Sequence, residues 1–380
     1  MKYMGSKTSM LQAGLSGIIS ENLGLRPPRF VDLFAGSGAV ARWVAENHDV
    51  PVDAVDTQLY GKLLSGVIIE RHEKASASIL NDWIVASRDL HSKRSSGLRP
   101  TDDRTLNSDA VYLEREEAEQ IRFPGFVARQ YGGHYYSINQ GIALDCLLEC
   151  LPSDGPERLV ALAAVIETAS SCAASPGHTA QPFQPTGNLL RHIGDAWRRD
   201  PFIFVSRKSD MFARRFALAR GGKAFQQDAL LHAQNNIEDG SVVFCDPPYS
   251  EVQYSRFYHV LEGIARGGWD RVYGAGRAPQ GAERFSSRFS SRKDSTSAFT
   301  ELFRLLAARS TTVLMTFPNH ACSNGQSAES LIALAEGWFK VSSTAVDVIH
   351  SSLGASQVSG GNRVPRRGVE ESVIVLKPLS

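Results

Sequence analysis

Apolar and polar positions alternate between two regimes along the chain. Residues 29–34, RFVDLF, form a short apolar run that predicts a buried strand, and they lead into AGSGAVARWVAE, a glycine-rich turn followed by a helical pattern. Residues 50–56, VPVDAVD, predict the next strand, which ends on an acidic residue. Strand, glycine turn, helix and strand make a βαβ unit of a parallel α/β fold. The middle of the chain differs. Residues 76–105 are polar, and the stretch SKRSSGLRPTDDR within them predicts a loop. Residues 137–151 and 157–173 have helical spacing, the second bounded by Pro156 and Pro176, and SPGHTAQPFQPTG predicts a loop. The α/β pattern then returns. SVVFC is a strand opening into a loop, TTVLMTF at 311–317 is a strand, LIALAEGWF is a helix and KVSSTAVDVIH is a strand. Residues 351–368, rich in Gly, Ser and Arg, predict a loop before the last strand, ESVIVLKP. The pattern therefore predicts one α/β domain, residues 1–75 and 221–380, split by a largely helical insertion at 76–220. No internal repeat is evident.

Composition adds limits. Hydrophobic residues make up 42% of the chain and charged residues 21%, as in a soluble globular protein with a sizeable core. No apolar run reaches membrane-spanning length, and MKYMGSKTSMLQAG lacks the apolar stretch of a signal peptide, so a cytoplasmic protein is expected. The five cysteines, Cys146, Cys150, Cys172, Cys245 and Cys322, contain no C-x-x-C pair. Reduced thiols and no metal site are expected. Net charge is only +1, but basic residues cluster at Arg198–Lys223, Arg284–Lys293 and Arg363–Arg367. Such clusters suit a phosphate backbone, although any one of them could be ordinary solvated surface.

Two motifs carry chemistry. Asp32, Phe34, Gly36 and Gly38 stand at the first strand-to-helix turn, where glycine lets a ligand approach the main chain. Asp56 follows Gly36 by 20 residues at the end of the next strand, placed to accept hydrogen bonds from ribose hydroxyls. Ala41 occupies the third position of the dinucleotide fingerprint, which leaves a nicotinamide cofactor open on this motif alone. The second motif is Asp246, Pro247, Pro248 and Tyr249, directly after an apolar strand. An exocyclic amine of adenine or cytosine is a poor nucleophile, because its lone pair is conjugated with the ring. The Asp246 carboxylate and the Pro247 carbonyl can accept its two N–H bonds on a loop stiffened by proline, a preorganised acceptor pair. Tyr249 offers a flat face for a base turned out of the duplex.

KYMGSK, DLFAGSGAVA, VDAVD, KAFQQDAL and DPPYS, in that order, resemble the Dam-type, alpha-ordered adenine-N6-specific DNA methyltransferases. The resemblance covers both ends of the chain and is strongest over the first 60 residues and over 224–262. It implies a Rossmann-like S-adenosylmethionine-dependent sheet with a target-recognition region between the ribose-binding acid and the catalytic loop. It also implies S-adenosyl-L-methionine as methyl donor and double-stranded DNA as substrate. Tyr3, Gly5 and Lys7 match the N-terminal donor-contacting positions, with Ser6 in place of a second glycine. Asp32, Phe34, Gly36, Gly38 and Asp56 match the donor site, Asp228 an acid near the donor adenine, and Asp246–Tyr249 the catalytic loop. Tyr254, Arg256, Phe257, Tyr258 and His259 are candidates for the target pocket or for helix packing, and His178 and Gln181 for base-edge contact or plain loop chemistry. The loop with Arg363, Arg366 and Arg367 is a candidate for phosphate contact. A paired restriction endonuclease is compatible with this reading. The alternatives are cytosine-N4 or an RNA base as target, a dinucleotide oxidoreductase, and a non-catalytic DNA-binding protein that keeps the fold. Asp rather than Ser or Asn at position 246 favours adenine.

Overall fold

The computed structural model describes residues 7–97, 106–348, 356–359, 362–365 and 369–379. The chain forms two compact units. The α/β unit comprises Met4–His72, Phe216–Ser255 and Phe285–Ser380, and the helical unit is built from Glu73–Arg215 and Arg256–Arg284.

The α/β unit holds a seven-stranded sheet. Its strands are β1 (Phe30–Asp32), β2 (Val52–Asp56), β3 (Lys223–Gln226), β4 (Val242–Cys245), β5 (Thr312–Pro318), β6 (Phe339–Val348) and, after a separate hairpin of β7 (Ser356–Ser359) with β8 (Asn362–Pro365), β9 (Val369–Pro378). The order across the sheet is β3-β2-β1-β4-β5-β9-β6. The first five strands run parallel, and β9 is antiparallel to both of its neighbours. The α/β class and the sheet expected of an S-adenosylmethionine-dependent methyltransferase are both present. The strands Phe30–Asp32 and Val242–Cys245 are buried throughout, as strands covered on both faces must be. The helix Ala39–Asn47 turns Val40, Ala41, Val44 and Ala45 inward. Phe289, Phe299, Phe303, Phe317 and Phe339 fill the core with Val243, Met315 and Ile374. At the opposite sheet end, Arg29 reaches the buried Asp53 on β2 at 2.9 Å and the Gly221 carbonyl at 3.1 Å, tying β1, β2 and the approach to β3 together. The N-terminal segment Thr8–Leu15 packs against β6, which carries Lys7 to the β9 side of the sheet.

The helical unit corrects two readings. Residues 92–94 of the expected loop instead end a helix, Ala77–Arg94: Ser76 caps it, a stripe of Leu80, Trp83 and Ser87 is buried, and Ile84, Leu90 and Arg94 are half-buried. Trp83 donates to the Leu147 carbonyl at 3.0 Å, and His91, Lys93 and Arg94 complement the dipole in the last turn. Overall polarity concealed that stripe. Residues 98–105 of the expected loop lie outside the described residues. The second correction concerns 256–284, which the sequence pattern assigns to the catalytic domain. Gln130 donates to the Trp269 carbonyl, Arg277 to the Gln130 carbonyl at 2.8 Å, and Thr179 to the Phe257 carbonyl at 2.6 Å. The predicted helices appear as Ile138–Glu149, opened by a capping box of Ser137 and Gln140, and Gly155–Cys172, with proline in its first turn. The hairpin of β7 and β8 replaces part of the expected 351–368 loop, since Gln357 and Val358 pair with Val364 and Arg363.

Asp145 holds the helical unit at its centre. Its Oδ1 accepts from the Phe126 and Val127 amides at 2.8 Å each, and its Oδ2 from the Ala128 amide at 3.0 Å, so one carboxylate caps the short helix Val127–Tyr131. Gly125 makes room for it, because a Cβ there would meet Asp145 Cγ at 2.5 Å. Asp145→Ala should strand three amide donors and lower unfolding stability by about 3 kcal/mol in denaturant titration, and an unchanged midpoint would refute this account.

Candidate active site

The glycine turn grows directly out of β1. Gly36 and Gly38 have φ of +52° and +73°, values that residues with side chains seldom adopt. Asp56, at the end of β2, accepts the Gly36 amide on Oδ2 at 2.8 Å and the Gln58 amide on Oδ1 at 2.7 Å. The acid thus pins the turn to the neighbouring strand. Gly61 belongs to no motif, yet a Cβ there would stand 2.8 Å from Asp56 Cγ and 2.9 Å from the Gly36 carbonyl. The only signal for it in the sequence is a glycine inside the bulky run LYGKLL.

Asp32 is buried beside this turn and accepts the Phe34 amide at 3.3 Å. Burial pushes its pKa up to about 8, with the charges of Asp246 and Asp56 adding and the Phe34 and Ala41 amides opposing. Several carboxylates therefore crowd one sheet edge. Asp228 caps the helix Ala229–Asn235, its Oδ1 accepting from Leu230 and Leu231 at 2.9 and 3.3 Å. It stands beside Asp56 because the Gln227 amide bonds to the Asp56 carbonyl at 2.9 Å.

Asp246 follows β4, the strand next to β1. Its Oδ1 accepts from Thr316 Oγ1 on β5 at 2.9 Å and lies 3.0 Å from Lys7 Nζ. Lys7 also donates to Glu371 Oε2 on β9 at 2.9 Å. The Lys7 and Glu371 side chains are 7% and 1% exposed, whereas Asp246 keeps 21% of its side chain open. Burial raises the Asp246 pKa, which Lys7 opposes and Glu371 reinforces. Burial alone would depress the Lys7 pKa, but the two carboxylates outweigh it and raise the value. The resemblance implies a donor contact for Lys7, and its ammonium bridges Asp246 and Glu371.

Asn324, which belongs to no motif, anchors the Asp246–Tyr249 loop. Its Nδ2 donates to the Pro248 carbonyl at 3.2 Å and to the Phe289 carbonyl at 2.9 Å. Among the described residues nothing donates to the Pro247 carbonyl, which is left to accept from a ligand. Tyr249 sets its ring edge-on to Phe317 at 6.4 Å and hydrogen-bonds Tyr254. Phe34, Phe289, Phe299 and Phe317 contact one another in series at 5.0–6.0 Å, so a chain of aromatic rings joins the glycine turn to the catalytic loop.

Other candidates separate. Tyr3, Gly5, Arg366, Arg367 and the side chain of Arg363 lie outside the described residues. Tyr258 and His259 are buried in the helical unit, where His259 Nε2 lies 2.8 Å from the Gly276 carbonyl and Nδ1 lies 3.1 Å from the Arg256 carbonyl. Both are packing residues. His178 accepts its own loop's Ala180 amide at 3.2 Å and tilts on Phe257, and Gln181 is exposed. The basic stripe at 198–223 is partly spent internally. Lys208 pairs with buried Glu167 at 2.6 Å, Arg198 pairs with Asp195, and Arg199 donates to the Ser171 carbonyl at 2.5 Å, while Arg207, Arg214 and Arg220 are exposed.

This edge can hold a cationic ligand among carboxylates and present two fixed acceptors, the Asp246 carboxylate and the Pro247 carbonyl, to an amino group. Residues 207–313 match the family model of the D12 class N6 adenine-specific DNA methyltransferases, which bears out the expected resemblance. Modification methylase LlaI of Lactococcus lactis subsp. lactis is 23% identical over 337 residues, 84% of this chain and 46% of that protein. Modification methylase StsI of Streptococcus sanguinis is 23% identical over 271 residues, 70% of this chain and 36% of that protein. Type II methyltransferase M.FokI of Planomicrobium okeanokoites is 25% identical over 290 residues, 72% of this chain and 38% of that protein. The chain spans less than half the length of these relatives.

In the unfolded chain Asp32 titrates near 3.8, in the fold at about 8. Between these values the folded chain holds a proton that the unfolded chain has lost, so stability falls as pH rises through the window. Asp32→Asn should therefore stabilise the protein above pH ~7, by on the order of a few kcal/mol, and flatten the dependence of melting temperature on pH. Parallel melting curves for the two proteins from pH ~5 to ~8 would remove Asp32 as the source.

Proposed function

We propose that this chain, which carries the D12 class N6 adenine-specific DNA methyltransferase domain over residues 207–313, methylates the N6 amino group of adenine in a specific sequence of double-stranded DNA. The methyl donor is S-adenosylmethionine, and the base reacts after leaving the stack. The observation that carries this reading is the Asp246–Tyr249 loop, fixed by Thr316, Lys7 and Asn324 at the end of β4, beside the glycine turn of β1.

The donor is a cation with a ribose, and the residues present suit it. Burial raises the Asp32 pKa first, and the charges of Asp246 and Asp56 add to it, a repulsion that a bound cation relieves. Asp56 accepts from the ribose hydroxyls, Gly36 and Gly38 allow close approach, and Phe34 and Asp228 border the same edge. Tyr3 and Gly5 belong to this group by their place in the KYMGSK motif. When bound, the donor supplies an electrophilic methyl on a sulfonium. Asp246 and the Pro247 carbonyl accept the two N–H bonds of the amino group and favour a pyramidal nitrogen, with its lone pair aimed at that methyl. Tyr249 stacks on the base, held by Phe317 behind it. The N–C bond forms as the S–C bond breaks, and the nitrogen sheds its extra proton afterwards. The helical unit supplies target recognition, with exposed arginines such as Arg207 and Arg214 on phosphates. The protein works with the cell's DNA in the cytoplasm, alongside a restriction endonuclease of the same specificity.

Asp246→Ala should cut transfer by about 10²–10³-fold or more while leaving donor titration by calorimetry nearly unchanged. Near wild-type transfer in that variant would remove the catalytic assignment. Asp56→Ala should weaken donor binding by about tenfold or more, and an unchanged titration would take Asp56 out of the site. Mass spectrometry of nucleosides from treated DNA and RNA identifies the base. N4-methylcytosine or methylated RNA would replace the adenine reading, and no methylation with intact donor binding would leave a DNA-binding protein.

A further inference from the structure

We propose that Glu371, on the antiparallel strand β9, is a positioning residue for methyl transfer: through Lys7 it fixes the Asp246 carboxylate and keeps it basic enough to receive the proton that the amino group gives up. This inference rests on the function proposed above and adds a residue that none of the motifs contains.

The sheet brings the groups together. β9 pairs with β5 so that Glu371 stands opposite Pro318, two residues beyond Thr316. Asp246, Thr316 and Glu371 therefore come from three adjacent strands, β4, β5 and β9, and Lys7 closes the row from the N-terminal segment. A glutamate that is 1% exposed is expensive to bury, and an ion pair at such depth rarely repays its desolvation. An apolar residue at 371 would pack against this core at less cost. The arrangement therefore answers a chemical need.

That need follows from the charge movement. As the N–C bond forms and the S–C bond breaks, positive charge passes from sulfur to the amino nitrogen, and an N–H proton must then leave. If Lys7 faced Asp246 alone, the pair would be neutral and the carboxylate a poor proton acceptor. Sharing the ammonium with Glu371 leaves the trio with a net charge of about −1 by simple count of formal charges. Lys7 and Thr316 hold Oδ1, so Oδ2 is the oxygen left to face the amino group, and a proton taken there departs through the exposed part of the side chain. Among the described residues, the other titratable groups facing Asp246 are Asp32 on β1, Cys245 before it and Tyr249 after it, and Cys322 lies near Glu371.

The test measures the pH dependence of kcat, using tritiated S-adenosylmethionine and adenine-unmethylated duplex DNA. In Glu371→Gln, kcat should fall about tenfold, and its acid limb should move to lower pH by about one unit, because a repelling charge near Asp246 is gone. Glu371→Asp should return the limb toward its original position, since it restores the charge. If Glu371→Gln does not fold, as judged by circular dichroism, the double variant Lys7→Met/Glu371→Gln is measured instead. There the limb should move to higher pH, because Lys7 acts on Asp246 more strongly than Glu371 does. A folded variant whose limb coincides with that of the wild type overturns the inference, as does a loss confined to donor binding. Failure of the wild-type protein to label DNA would instead overturn the function on which the inference rests.

Discussion

The parallel pairing of β1 with β4 is the constraint on which the rest of the site depends. Phe30 stands opposite Val242 and Asp32 opposite Phe244, so both strands end at the same level of the sheet. From there the chain winds outward in opposite directions, through β2 and β3 on one side and β5 on the other. Such a reversal opens a crevice at the carboxyl ends of the strands, because the two connections cannot both cover it. The glycine turn and the Asp246 loop meet at this crevice although more than 200 residues separate them in the chain. β5 and β9 extend the same edge and deliver Thr316 and Glu371 to it.

Charge is concentrated where burial makes it most expensive. Asp32, Asp246, Glu371 and Lys7 all lie in or at the edge of the α/β core, and only one of the four is a cation. A sequence selected for stability alone would place apolar side chains there. Burial raises the pKa of Asp32 and Asp246, and neighbouring carboxylates add to the rise. The aromatic chain from Phe34 to Tyr249 links the two loops.

In the helical unit most buried polar groups serve the fold. Asp145 caps a helix, Tyr135 donates to a carbonyl, Trp83 and Trp269 each tie one element to another, and Lys208 neutralises Glu167.

The sequence by itself determined the parallel α/β class, the helices at Ile138–Glu149 and Gly155–Cys172, the glycine turn, Asp56 and the Asp246–Tyr249 loop. These are local features. Strand periodicity, a turn needing glycine and a carboxylate followed by two prolines each leave their mark within a few residues. The helix Ala77–Arg94 left little mark because only Leu80, Trp83 and Ser87 along it are fully buried, one of them polar, against a largely polar composition. Gly61, Asn324 and Glu371 escaped for a different reason. Each acts on a group distant in sequence, across 25 residues for Gly61 and Gly36, 76 for Asn324 and Pro248 and 364 for Glu371 and Lys7. Nothing near such a residue in the chain encodes its partner. Only the folding of β4, β5 and β9 into neighbouring positions, with the N-terminal segment laid across them, decided that Lys7 would bind two carboxylates at once.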